Sequence, residues 1–174
     1  VSAGATANAT NITSFTADSS TSNSGTANLT TKVGGGTIDI GNSTTGAYSL
    51  TGLSGNDTLK GNGNADIING GGGDDTIDGR GGNDEINAGA GDDIITVSSA
   101  GQGDGDTIDG GSGTDTLSLS SGSHAFATDA KLQNINSITL ASTSTVIDLT
   151  GQTESLTITG GAQADTITAG SGDD

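Results

Sequence analysis

A nine-residue period organises the middle of this chain. On the pattern Gly-x-x-Gly-x-Asp-x-aliphatic, blocks run at 52–60, 61–69, 70–78, 79–87 and 88–96, then at 101–109 and 110–118 after four inserted residues, Val97 to Ala100. Asp57, Asp66, Asp75, Asp84, Asp93, Asp106 and Asp115 hold the sixth position, and Leu59, Ile68, Ile77, Ile86, Ile95, Ile108 and Leu117 hold the eighth. A further block at 160–168 carries Asp165 and Ile167, and the next one reaches its own sixth position at Asp174. A short period that locks two positions together describes a coil of stacked units, not a globule.

The residue types say what each unit does. Small residues at positions one to four permit positive φ and close backbone approach in a tight turn, and the aliphatic residue at position eight favours a short strand. Successive strands then lie on opposite sides of a flattened coil, two blocks complete one turn, and equivalent loops stack at about the 4.8 Å strand spacing. Aspartates of blocks n and n+2 face each other. Without a cation this stacking brings like charges within a few ångström. The fifth position varies among Asn, Ala, Asp, Gly and Thr while the sixth is always Asp, which a merely solvated acidic face does not explain.

Composition agrees with a coil. Two Phe, one Tyr and no Trp, Met, Cys or Pro among 174 residues leave too few large side chains for an ordinary packed core. Thirty-two Gly and long Thr, Ser and Asn runs would by themselves suggest disorder. The formal net charge of −17 excludes nucleic acid and anionic membrane as natural partners and asks for something cationic. With no cysteine, hard oxygen ligands are the available metal chemistry. No apolar run approaches the roughly 20 residues of a membrane helix, and no signal-peptide pattern opens the sequence. The signatures H-E-x-x-H, G-x-S-x-G and G-x-x-x-x-G-K are absent, so no enzyme is expected.

The stretches GGGGDDTID at 70–78 and GGSGTDTLS at 110–118 resemble the RTX (repeats-in-toxin) nonapeptide G-G-x-G-x-D-x-U-x, where U is a large aliphatic residue. The resemblance implies an all-β fold, a right-handed parallel β-roll (β-solenoid) with Ca²⁺ between stacked Gly/Asp turns. It pairs Asp57 with Asp75, Asp66 with Asp84, Asp75 with Asp93, Asp84 with Asp106 and Asp93 with Asp115, giving about five ions within 52–118. Asp165 and Asp174 would serve a further set. Backbone carbonyls are expected from Gly55, Gly70, Gly71, Gly72, Gly73, Gly79, Gly81, Gly82, Gly89, Gly91 and Gly110. Some positions depart from the pattern. Asn62 and Asn64 replace glycines, which Asn tolerates because it visits left-handed conformations. Leu53, Arg80 and Gln102 at position two and Asp104 at position four are harder to place.

Around the repeats the sequence divides into residues 1–51, with metal-free rungs expected in the second half; the calcium-binding roll at 52–118; a surface excursion at 119–132 that contains His124, to which no role is assigned; metal-free rungs at 133–159; and a new block from 160. In the metal-free stretch Leu140, Leu149, Ile158 and Ile167 fall nine apart, as do Ile138, Ile147 and Leu156, and the sixth position reads as apolar. The resemblance further implies secretion by the type I route to the outside of a bacterium. Three roles fit it: a surface-layer (S-layer) subunit, the stalk of a large adhesin, or the secretion tail of an exported protease, lipase or toxin. The Thr/Ser/Ala/Gly-rich composition and the stretch 89–117 are most similar to S-layer proteins. The expected partners are calcium, further copies of the chain in a lattice, and cell-surface polysaccharide.

Overall fold

The computed structural model describes residues 6–98, 105–126 and 128–173. Its strands stack in parallel as a solenoid of about seven turns. One sheet has seven strands: β1 (Thr6–Ile12), β3 (Thr26–Thr31), β5 (Tyr48–Thr51), β7 (Ile67–Gly72), β9 (Glu85–Ala90), β11 (Thr107–Ser112) and β14 (Leu132–Gln133). The opposite sheet has eight: β2 (Ser14–Thr16), β4 (Thr37–Asp39), β6 (Thr58–Lys60), β8 (Thr76–Asp78), β10 (Ile94–Val97), β12 (Thr116–Leu119), β15 (Ser137–Leu140) and β17 (Thr157–Thr159).

The register shows why the period is nine. Leu59 pairs with Ile77 and Ile77 with Ile95, while Ile68 pairs with Ile86. Two nonapeptides therefore make one turn, and each eighth position turns an aliphatic side chain inward, joined in β10, β12 and β15 by a second one at Val97, Leu119 and Leu140. The two resulting columns, Leu50–Ile68–Ile86–Ile108 and Leu59–Ile77–Ile95–Leu117, are buried along their length and form the thin core between the sheets. Ile94 pairs with Thr116 and Glu85 with Thr107, a step lengthened by the four inserted residues. Val97, expected within that insertion, instead ends β10 and is buried opposite Leu119. Gln102 and Asp104 lie outside the described residues.

Regular stacking begins well before the first aspartate block, since β1 pairs with β3 and β2 with β4. After Leu119 the coil changes cross-section. The segment expected as a surface excursion supplies β13 (Gly122–Ala125), which pairs with β16 (Thr145–Asp148), and β16 pairs with β18 (Thr166–Thr168) in a third sheet. His124 and Phe126 are buried, and a short 3₁₀ turn at Asp129–Lys131 leads back to the first sheet through β14. The physical reason is that this segment carries the largest apolar side chain in the core, and the third face encloses it. Gln152 fixes the corner by donating from Nε2 to the carbonyls of Phe126 at 2.7 Å and Thr128 at 2.9 Å.

The metal-free register also shifts. Ile138 pairs with Ile158 and Ile147 with Ile167, so the inward columns step by nine within a turn but by eleven from Ile147 to Ile158. The residue in register with Asp115 is Asn136 and the one in register with Asp165 is Thr145, so the sixth position is polar at these two places, whereas Leu156, in register with Asn136, is buried and apolar as expected.

Replacing the side chain that closes the third face should therefore act like a core deletion. Phe126→Ala is expected to cost about 3–5 kcal/mol, read by denaturant unfolding in saturating calcium, whereas an excursion would tolerate it within about 0.5 kcal/mol.

Candidate metal centre

The tight turns place the sixth-position aspartates in two columns, one along each edge of the roll. Along one edge the main-chain N–H of Asp57 donates to Asp75 Oδ1 at 2.7 Å, that of Asp75 to Asp93 at 2.7 Å, and that of Asp93 to Asp115 at 3.0 Å. Along the other, Asp66 donates to Asp84 and Asp84 to Asp106, both at 2.8 Å. These contacts join the same five pairs that the repeat spacing brings face to face. All seven carboxylates are buried.

Each ladder has a neutral member at an end. Gly36 N–H donates to Asp57 Oδ1 and Tyr48 N–H to Asp66 Oδ1, and Asp115 N–H donates to Asn136 Oδ1 at 2.6 Å. Asn136 escaped the sequence reading because its block lacks the glycines; its place just before the Ser137–Leu140 strand was the available signal. Asp165 sits at the edge of the third sheet and is only partly buried. Its Oδ1 accepts from Thr145 N–H at 2.9 Å, so it stacks on a threonine and not on a second carboxylate. Asp174 lies outside the described residues.

Two observations test whether a cation fits. First, the second carboxylate oxygen of Asp75, Asp84, Asp93 and Asp115 is buried with no hydrogen-bond partner, an arrangement that costs free energy unless a positive charge meets it. Second, first-position glycines leave room beside those oxygens. A Cβ added to Gly70 would stand 2.4 Å from Asp75 Oδ2 and 2.3 Å from the Ala88 carbonyl oxygen. At Gly110 the neighbours are Asp115 Oδ2 at 2.9 Å and the Asn134 carbonyl at 2.3 Å. Gly52 and Gly61 show the same convergence, on Asp57 with the Gly70 carbonyl and on Asp66 with the Gly79 carbonyl. Oxygens from adjacent turns thus surround a small space that only glycine leaves open, and hard oxygen donors suit Ca²⁺. No three acidic or His side chains converge on one point among the described residues, so carbonyls must complete any such shell.

The remaining glycines build the turn. Gly71 and Gly89 at position two, and Gly55, Gly73, Gly82 and Gly91 at position four, have positive φ. At position three, Gly72 N–H donates to the Leu53 carbonyl, its own carbonyl accepts from Gly55, and Gly81 N–H donates to Asn62. Ala88 and Asn134 are carbonyl donors to the cradle that the repeat pattern does not name. Ala88 also puts a methyl where other blocks have glycine, so Asp93 has less room on that side than Asp75.

The irregular residues find specific uses. Asn62 and Asn64 do not adopt positive φ. Instead Asn62 is buried, accepts the Asn64 N–H on Oδ1 at 2.8 Å and donates from Nδ2 to the Gly46 carbonyl at 3.0 Å. Arg80 takes φ 67° and reaches two rungs back to Asp39 Oδ1 at 3.2 Å. Leu53 is exposed at 42 %, and its N–H meets Asp57 Oδ2 at 3.3 Å.

Burial raises the carboxyl pKa of five of these aspartates, partly offset by the backbone N–H each one accepts. Asp66 and Asp75 are pushed up to about 6 and Asp84 to about 8, while Asp93 and Asp115 are also raised. Neighbouring carboxylates add to the rise at Asp75 and Asp84. The cation-free roll therefore holds protons more tightly than the unfolded chain. The resulting stabilisation is fully present below the unfolded value near 3.8 and is lost as pH rises through about 6 and then about 8. In chelator, the circular dichroism β signal should grow from pH 8 to pH 4, and Asp84→Asn should remove the step nearest pH 8; a signal that falls on acidification would contradict this.

Position within the column should also matter. Asp84→Ala is expected to weaken calcium binding at least about tenfold at the sites it shares with Asp66 and Asp106. Asp148→Ala should leave calcium uptake unchanged, because Asp148 lies on a metal-free rung and its Oδ1 accepts from Thr150 N–H and Oγ1. Calorimetric titration of both variants distinguishes them.

The comparisons with known proteins point the same way. The family model of the RTX calcium-binding nonapeptide repeat matches four times, at residues 43–77, 69–98, 100–123 and 157–174, which together span more than half of the chain. No curated protein and no solved structure matches it. Such repeats bind calcium and are typical of secreted bacterial proteins, which fits an extracellular location. With its repeats matched over that length and its aspartates stacked in two buried columns, the chain belongs to the family of RTX calcium-binding nonapeptide repeats.

Proposed function

We propose that this chain is a calcium-folded structural segment of a bacterial surface assembly of the S-layer kind, without catalytic activity, carried out of the cell by type I secretion. The observation that carries the calcium-coupled part is the set of four buried, partnerless carboxylate oxygens in a coil whose core is a thin layer of Ile, Leu and a few smaller side chains between the sheets. Removing the cation leaves these charges uncompensated, so the fold and the ion stand or fall together. A chain that is extended at low cytosolic calcium and folds in external calcium suits export through a channel.

The assembly part rests on the outer faces. Thr37, Thr58, Thr76, Thr116, Ser137 and Thr157 stand in register along one sheet, with Ile94 as the interruption. Their hydroxyls repeat at about 4.8 Å, a flat polar lattice that favours equally regular lateral contacts, with other copies or with surface polysaccharide. With a net charge of −17, copies repel until calcium neutralises their surfaces, so association should need more calcium than folding.

Two measurements test this. Chelation should abolish most of the β circular dichroism signal, and an unchanged signal and melting temperature would refute calcium-coupled folding. Electron microscopy of the full-length protein across a calcium series should show ordered sheets at millimolar calcium that disperse before the roll unfolds. Discrete particles at every concentration, with the roll folded, would instead favour an adhesin stalk or the tail of a secreted enzyme.

A further inference from the structure

The second oxygen of the sixth-position aspartate is not equally exposed to a cation in all blocks, and the difference follows the residue just before the block. Where that residue is Thr51, Lys60 or Thr159, the position-two N–H donates to the carboxylate: Leu53 to Asp57 Oδ2 at 3.3 Å, Asn62 to Asp66 Oδ2 at 2.9 Å and Gly161 to Asp165 Oδ2 at 2.9 Å. Where it is Asn69, Asp78, Asn87 or Asp109, the Oδ2 of Asp75, Asp84, Asp93 and Asp115 is buried and has no partner. In two of these blocks the competing acceptor is visible. Arg80 N–H donates to Asp78 Oδ1 and Gly111 N–H to Asp109 Oδ1, each at 3.0 Å. An N–H has one proton to give, and an Asp or Asn oxygen two residues earlier takes it in a local turn. Thr and Lys offer no such carbonyl or carboxylate oxygen.

We infer that the residue preceding each nonapeptide is a positioning residue that sets calcium affinity: Asp or Asn there diverts the position-two N–H and leaves the aspartate's second oxygen free for the cation. The sites containing Asp75, Asp84, Asp93 and Asp115 then present an unshared oxygen, while Asp57, Asp66 and Asp165 give theirs partly to the backbone. The inference rests on the calcium reading of the site.

Calorimetric calcium titration of the 174-residue chain tests it with three variants. Asp109→Thr returns the Gly111 N–H to Asp115 and should weaken one site about tenfold, the worth of one hydrogen bond set against the cation. Asp109→Asn keeps the side-chain oxygen but removes the same charge, and should bind like the unaltered chain. Thr51→Asn should strengthen one site about tenfold by freeing Asp57, and this gain remains decisive even where Asp109→Thr fails to fold by circular dichroism in saturating calcium. Equal losses in Asp109→Thr and Asp109→Asn would assign the effect to charge and overturn the inference, as would an unchanged titration in Thr51→Asn. Calcium uptake by the unaltered chain, with either of those results, leaves the calcium reading standing; no uptake at all overturns both.

Discussion

The middle of this molecule is governed by aspartates stacked at the spacing of a parallel sheet. The backbone ladder fixes successive turns at about 4.8 Å, so a carboxylate at a fixed place in the repeat lies above another carboxylate. Each one gains a backbone N–H from the adjacent turn, which orients it and recovers part of the desolvation cost. The other oxygen of Asp75, Asp84, Asp93 and Asp115 gains nothing from the protein. A thin core, with one or two small or medium apolar side chains per strand, has little surplus to offset that cost. The first-position glycines matter for the same reason: a Cβ at Gly52, Gly61, Gly70 or Gly110 would crowd the space where oxygens of adjacent turns converge, as the Ala88 methyl narrows it beside Asp93.

Neutral side chains solve the same corner problem in the metal-free rungs and, at Asn62, within the block that carries Asp66. Asn23 donates from Nδ2 to the Ala47 carbonyl at 2.7 Å, Asn62 to Gly46, and Gln152 to Phe126 and Thr128. Tyr48 stands in register one turn before Asp66, and its hydroxyl meets Ser43 Oγ at 2.8 Å, which in turn donates to the Thr21 carbonyl of the adjacent turn at 3.2 Å. In each case a side-chain donor or hydroxyl supplies within one chain the inter-turn link that elsewhere needs an ion. This is why parallel stacking continues on both sides of the aspartate blocks, though with a third face after Leu119, and why the columns end on Gly36, Tyr48 and Asn136 instead of on an exposed charge.

How much of this was legible in the sequence depended on what each feature is made of. The pairing of Asp75 with Asp93, or Ile77 with Ile95, follows from the period alone, because a repeated turn and strand leaves one way to stack. The third face was not legible. Gly122–Ala125 has no repeat to align with, and only tertiary enclosure of Phe126 and His124 reveals that the segment runs inward. The slip between Ile147 and Ile158 was hidden for a related reason: a longer corner at 150–156 costs two residues and preserves the hydrophobic pattern closely enough to suggest an unbroken nine. Asn62 shows a third kind of miss. Asn in a glycine position suggested left-handed backbone, whereas its amide is spent on the neighbouring turn.

Because each candidate site draws oxygens from two turns, a cation stabilises the interface between rungs and not a rung by itself. Stability in such a coil is a sum of nearest-neighbour terms, so filling one site orders both carboxylates and presents a formed edge to the next. The two columns share this coupling: Asp75 and Asp84 lie on opposite edges of the same turn, joined by the Thr76–Asp78 strand. A calcium ion on one edge thus fixes the strand that positions the other edge. Stacked geometry of this kind predicts folding that responds steeply to calcium even where the individual sites are not tight.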